Sequence, residues 1–282
     1  MKPIFRWTIG DTRPEGIDVF KDAVWQTQRA LGVNTFDWVV CSNAKQNKAT
    51  IKQIAHRFNL KFHEPSWDEF PQILAKFVPS IYDINADAGS PSGRQGSFWK
   101  FCPPRLNKNV HEIIADNDLI ICKPIAEIEQ FLSDNKTLLL EEDVHCHGKY
   151  YHHFNDKEKY NSGLLGMPPN LDFEAKIIDT WLCHGKYQKL LSRDEQGLLT
   201  LALKQCPHIV IPNTTIIQLM ASGKPYDCKY AITEETNTTT QIITSMTCKE
   251  YTFNHKEKGF HFCQINREPH APWMQYSSLK LL

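Results

Sequence analysis

The sequence predicts an α/β protein: a mostly parallel sheet flanked by helices, with a small antiparallel portion toward the C-terminus. Three observations lead there. Short apolar runs alternate with helical patterns through the first half of the chain. Several of those runs end in turn-forming or acidic residues, where the loops of an open α/β sheet gather around a ligand. The threonine-rich stretch from Thr233 to Thr247 alternates in the way of an antiparallel hairpin or edge.

Taken in order, Ile4 to Ile9 reads as a first strand ending at Gly10 and Asp11. Ile17 to Leu31 follows as a helix, with Val19, Phe20, Ala23, Val24 and Ala30 at helical spacing. Phe36 to Cys41 is a second strand ending at Ser42 and Asn43. A second helix covers Thr50 to Phe58, and Leu60 to Phe62 is a short third strand. The small-residue stretch Asp83 to Gly96 is a loop. It is no calcium loop, because Ala88 stands where glycine is needed and Arg94 where a bidentate glutamate is needed. Beyond it, Ile113 to Ala115 and Leu119 to Cys122 form an apolar run interrupted by Asp116 and Asp118. Ile125 to Leu132 reads as a helix, and Thr137 to Leu140 as a strand ending in Glu141, Glu142 and Asp143. A polar, histidine-rich stretch from His145 to Tyr160 leads to a small-residue turn, Asn161-Ser162-Gly163. Arg193 to Lys204 carries a helical pattern, and Ile209 to Ile211 is a further strand.

At 282 residues the chain suits one large α/β domain, residues 1–282, with ample apolar surface to bury. Lys and Arg together number 32 and balance 32 Asp and Glu, so no global field draws the protein to nucleic acid or an anionic membrane. Nine cysteines without a CxxC pair read as buried thiols of a reducing compartment, neither a disulfide framework nor a zinc knuckle. The opening segment MKPIFRWTIGDT lacks the apolar core of a signal peptide, and no stretch approaches a membrane-spanning length. The expectation is a soluble protein without an integral membrane segment. Cytoplasmic residence and export into a host cell look alike at this level.

The chemistry is concentrated at a few places. A carboxylate pair leaving a buried strand is costly unless paired, and a hard divalent cation shared with substrate phosphates removes that cost. An Asp-x-Asp triplet alone is weak in a chain this acidic, so context decides. Just before it, FWKFCPPR places Lys100 and Arg105 beside aromatics, where a cation pairs with a diphosphate; a solvated basic face is the alternative. His261 lies in an apolar, strand-like triplet within GFHFCQINREPHAPW, a setting where a lone histidine is more often a core residue than a ligand. The cluster HCHGKYYHH, with His145, His147, His152 and His153, lacks an H-E-x-x-H pattern and reads as an acceptor-side loop before a zinc site. Its imidazoles would make acceptor binding sensitive to pH between about 5 and 8.

In this order the residues resemble a GT-A type nucleotide-sugar glycosyltransferase of the glycogenin and galactosyltransferase-like group. The resemblance rests on an alternating β/α half, a Lys-x4-Arg segment, Asp-x-Asp after an apolar strand, Asn-x-Gly, Asp-Glu-Gln, and a terminal His-Phe followed by a basic residue and Pro-x-x-Pro-Trp. It covers residues 1 to about 275. It implies a Rossmann-related GT-A fold, with a nucleotide-binding half at 1–125 and an acceptor-side half at 126–282 that carries a C-terminal metal and diphosphate loop. Asp116 would contact the donor's sugar or ribose and join Asp118 and His261 on Mn2+ or Mg2+. Thr8, Lys100, Arg105, Asn161 and Gly163 would line the donor, and Arg267 would stabilise the leaving diphosphate. Asp194 or Glu195 would face the donor sugar or the acceptor, serving as base if transfer inverts. The glycine common after His-Phe in such enzymes is Gln264 here.

The implied partners are a nucleoside diphosphate sugar, a UDP-sugar favoured, and a glycan, lipid or protein acceptor. A sugar-phosphate nucleotidyltransferase ranks lower, because the region Gly10 to Gly16 has only two glycines and Arg13. An inactive GT-A-fold module that binds a glycan is the reading from outside enzymology, and Asp116, Asp118 and His261 together argue against it.

Overall fold

The computed structural model describes residues 1–76, 100–143, 150–155, 158–184, 194–220 and 257–263. Among these, ten strands form two sheets. The strands are β1 (Ile4–Ile9), β2 (Asp37–Ser42), β3 (Lys61–His63), β4 (Glu112–Asp116), β5 (Leu119–Ile121), β6 (Leu138–Glu142), β7 (Tyr160–Met167), β8 (His208–Ile211), β9 (Ile216–Met220) and β10 (Gly259–Cys263). The helices are α1 (Pro14–Leu31), α2 (Lys48–Arg57), α3 (Gln72–Ala75), α4 (Ala126–Ser133), α5 (Phe173–His184) and α6 (Asp194–Lys204).

The larger sheet runs β3-β2-β1-β4-β7-β6-β8. Only β7 opposes its neighbours; the pairs β3-β2, β2-β1, β1-β4 and β6-β8 are parallel. The smaller sheet sets β10 antiparallel to β5 and parallel to β9. Side chains alternate across each strand, so successive residues of β4 serve different cores. Ile113 and Ala115 join Trp7, Phe20, Val24, Ile51 and Phe131, on the face covered by α1, α2 and α4. Ile114 joins Leu140, Leu165, Ile177 and Leu199, on the face covered by α5 and α6.

The predicted strand Ile4–Ile9 is observed with those bounds, and the first two predicted helices start two to three residues early, at Pro14 and Lys48. For α1 the reason is local: Pro14 suits the first turn, and Gly32 at φ 88 ends the helix in a conformation that disfavours side chains.

Two sequence readings change. The apolar run around the aspartates is two strands in different sheets, β4 and β5, and Asp116-Asn117-Asp118 is the joint between them. Asn161-Ser162-Gly163 is no free turn; it lies inside the wholly buried strand β7. The turn chemistry is nonetheless present, since the Asn161 side-chain oxygen accepts a 2.6 Å hydrogen bond from the Gly163 backbone N–H. It falls where the β6-β7 register jumps, from Leu140 opposite Leu165 to Glu141 opposite Asn161. The predicted loop Asp83 to Gly96 and hairpin Thr233 to Thr247 lie outside the described residues, as do His145 and His147.

Cys41, Cys102, Cys122, Cys183 and Cys206 are free thiols, and burial pushes Cys41 and Cys122 up to about 12, far from reactive thiolates. No helix among the described residues is long and apolar enough to cross a membrane.

At the entry of β4 an ion pair is completely buried: Arg6 Nε lies 3.1 Å from Glu112, both at 0% exposure. Arg6 also donates to the carbonyls of Pro103 and Pro104, and Glu112 accepts from the Leu106 N–H. Removing one partner strands the other charge without water. Glu112→Ala should therefore cost about 3–5 kcal/mol, read as the shift in urea midpoint; a loss under about 1 kcal/mol would show that Arg6 finds solvent or another partner.

Candidate functional site

The site gathers at the carboxyl end of the parallel strands, where a crevice opens in sheets of this kind. Thr8 near the end of β1 pairs in register with Asp116 at the end of β4. Because β7 runs the other way, its beginning, Asn161 to Gly163, arrives at the same edge. The end of β6 brings Glu141, the first turn of α6 brings Glu195, and β10 brings His261.

Lys100, 2% exposed, stands at the centre. Its ammonium lies 2.8 Å from Asp116 Oδ1 and 3.1 Å from Glu195 Oε1, and it donates to the Ser162 hydroxyl at 3.1 Å. Burial by itself depresses a lysine, but the two carboxylates outweigh it and hold Lys100 above the ordinary range. Glu195 is pushed up to about 7, first by burial and then by the charge of Asp116, against the opposing pull of Lys100.

A second cluster shares Asp116. His261 Nε2 lies 3.5 Å from Asp118 Oδ1 and 3.8 Å from Asp116 Oδ2. Asp116, Asp118 and His261 each offer one ligand atom, and these lie within 4.8 Å of one another. Two carboxylates and one imidazole are a donor set that suits a divalent metal ion. The donor set fits the expected metal.

Space for the imidazole comes from Gly163. A Cβ there would meet His261 Cε1 at 2.1 Å and Nδ1 at 2.7 Å, so a side chain at 163 and the ring of His261 exclude each other. The glycine's part in the site is its missing side chain.

Of the residues expected from sequence, the structure brings together Thr8, Lys100, Asp116, Asp118, Asn161, Gly163, Glu195 and His261. Asp194 opens α6 beside Glu195. Arg267 lies outside the described residues, with Gln264 and Trp273. Arg105 is elsewhere. Its guanidinium donates to the carbonyls of Pro168, Leu171, Asn107 and Val110 and lies 3.9 Å from Glu112, at the opposite end of β4 from Asp116. In this structure the two terminal nitrogens of Arg105 are committed to loop carbonyls and its Nε faces Glu112, away from the crevice.

Four residues, Ser162, Gln196, Asp143 and Glu141, carry contacts here that the sequence reading assigned to none of them. Ser162 accepts from Lys100. Gln196 donates to the buried carboxylate of Asp143 and to the Tyr160 carbonyl. Glu141 Oε1 lies 3.1 Å from His261 Nδ1. For Glu141 and Asp143 a signal existed: both close an apolar run, as Asp116 does.

No protein-family model matches the chain, and no curated protein matches it in sequence. Solved structures do match. The galactosyltransferase LgtC, solved in complex with donor and acceptor sugar analogues, is similar at a TM-score of 0.52 and 14% identity, over 100% of this chain and 94% of that one. The bifunctional glycosyltransferase WbbM is similar at 0.55 and 11% identity, over 96% of this chain and 46% of that one. The glycosyltransferase GlyE of Streptococcus pneumoniae TIGR4 is similar at 0.52 and 10% identity, over 100% of this chain and 60% of that one. At these identities the likeness is one of fold, and the fold is of the GT-A type.

Glu195 has a consequence for stability. Its folded value of about 7 stands above the ordinary 4.5, so below about pH 4.5 both states are protonated and burial carries no ionisation cost. As pH rises from there to about 7 the unfolded chain ionises first, stability falls, and above about pH 7 the cost is constant. Between about pH 5 and about pH 8, wild type should lose roughly 2 kcal/mol more than Glu195→Gln, measured by urea unfolding at each pH. Equal changes in the two proteins would mean that Glu195 ionises normally when folded.

Proposed function

We propose that this chain is a metal-dependent glycosyltransferase that moves a sugar from a nucleoside diphosphate sugar, a UDP-sugar favoured, to a glycan, lipid or protein acceptor. The observation that carries the reading is the Asp116, Asp118 and His261 triad at the carboxyl end of a GT-A type sheet. Solved structures of the same fold include a galactosyltransferase with donor and acceptor sugar analogues, which supports sugar transfer over other uses of the fold.

Asp118, His261 and Asp116 would hold Mn2+ or Mg2+. When bound, the ion would act as a Lewis acid toward the diphosphate and as a template for it. The remaining work falls to the chain. Lys100 occupies one oxygen of Asp116, which leaves the other, 3.8 Å from His261 Nε2, on the metal side. Thr8 pairs in register with Asp116, and Gly163, whose N–H donates to the Asn161 side chain, admits the imidazole. Asp194 and Glu195 open α6 over the same crevice and are assigned to the donor sugar or the acceptor. Arg267 is assigned to the leaving diphosphate, where a fixed cation offsets developing charge. Cleavage of the glycosyl–phosphate bond transfers its electron pair to the diphosphate, and the acceptor hydroxyl oxygen forms the new bond to the sugar. Its proton passes to Asp194 or Glu195 if transfer inverts and to the leaving diphosphate if it does not.

Incubation with a panel of UDP- and GDP-sugars should give slow hydrolysis of one donor, stimulated by Mn2+. Asp118→Asn should reduce that rate at least about 100-fold, since a metal's Lewis-acid contribution amounts to several kcal/mol. Failure of the wild type on every donor would favour a glycan-binding module, and an Asp118→Asn rate equal to wild type would remove the metal from the mechanism.

A further inference from the structure

Behind the imidazole of His261 stands a carboxylate that neither metal binding nor donor contact explains. Glu141 is fully buried, at 0% exposure. Its Oε1 lies 3.1 Å from His261 Nδ1, and its Oε2 has no hydrogen-bond partner among the described residues. Burying a carboxylate this way is expensive, and an apolar residue at this position of β6 would avoid the cost. The register jump between β6 and β7 falls at Glu141, setting it opposite Asn161 and near the glycine that makes room for the ring.

We infer that Glu141 is a positioning residue for His261, a reading that rests on the proposed metal site. A carboxylate can only accept, so Nδ1–H donates to Glu141, and this orients the ring with Nε2 toward Asp116 and Asp118. An imidazole held through its other nitrogen by a carboxylate is fixed in ring angle and is a more basic ligand. Gly163 and Glu141 therefore act on the ring together: one admits it, and the other sets its direction. Glu141 touches neither metal nor sugar and acts through His261.

The test uses two readouts on the full chain. In the metal-free protein, the Nδ1–H proton of His261 should give a slowly exchanging resonance by NMR, identified by its loss in His261→Gln. It should vanish in Glu141→Ala and persist in Glu141→Gln, whose side-chain oxygen still accepts. Manganese alone, titrated by electron paramagnetic resonance, should bind Glu141→Ala about 10–100-fold more weakly than wild type, with Glu141→Gln between them. Wild-type affinity together with an unchanged His261 resonance in Glu141→Ala would overturn the inference; should that variant not fold, the same two results in Glu141→Leu would overturn it. Absence of Mn2+ binding by the wild type would overturn the metal reading beneath it, while the resonance still decides whether Glu141 holds the ring.

Discussion

Lys100 brings one cation to a place where four carboxylates converge. Asp116 and Asp118 share the joint between β4 and β5, Glu141 comes from β6 and Glu195 from α6, and without compensation their mutual repulsion and lost hydration would pull the crevice apart. The buried ammonium sits within 3.1 Å of two of them, the part-exposed Asp116 and the buried Glu195, and ties the segment before β4 to the end of β4 and the start of α6. His261 deals with the other two, lying between Glu141 on one side and Asp118 on the other. What remains is a half-satisfied pair of aspartates facing one imidazole nitrogen. The most economical completion of that arrangement is a divalent cation.

The fold makes this arrangement possible by bringing an antiparallel strand into an otherwise parallel neighbourhood. Because β7 runs against β4, its first residues rather than its last meet Asp116. Those first residues are small or locally hydrogen-bonded, and they lie at the irregularity where β6 and β7 change register. Any side chain at position 163 would stand where His261 now lies. The second sheet then delivers the histidine: β5 follows Asp118 by one residue and pairs with β10, so His261 is set opposite Leu119. The two aspartates and the histidine are thus linked by the backbone ladder of the smaller sheet as well as by their side chains.

Much of this was legible in the order of residues. The first strand and its helix announce themselves by period and by turn chemistry, since Pro14 and Gly32 act locally. Asp116 and Asp118 were legible because carboxylates that interrupt an apolar run are conspicuous, and the resemblance to GT-A enzymes supplied His261, far away in sequence, which periodicity alone would have left in the core. Asn161-Ser162-Gly163 was half legible: its turn-like bond is local, but its burial in a sheet depends on partners far away in sequence. Arg105 and Glu141 show where order runs out. A basic residue beside aromatics looks the same whether it meets a diphosphate or four backbone carbonyls, and a glutamate closing an apolar run looks the same whether it meets water or a histidine from another sheet. Tertiary pairing decides such cases, and no local pattern encodes it.

The central claim is that the aspartate pair and His261 form one cation site serving a diphosphate. It is met most directly by anomalous diffraction at the manganese edge from crystals equilibrated with Mn2+ and a nucleoside diphosphate. The account predicts one strong peak coordinated by Asp118, Asp116 and Nε2 of His261, adjoining the diphosphate oxygens, with Lys100 still on Asp116. A diphosphate bound without a peak there, or manganese bound by other residues, would contradict it.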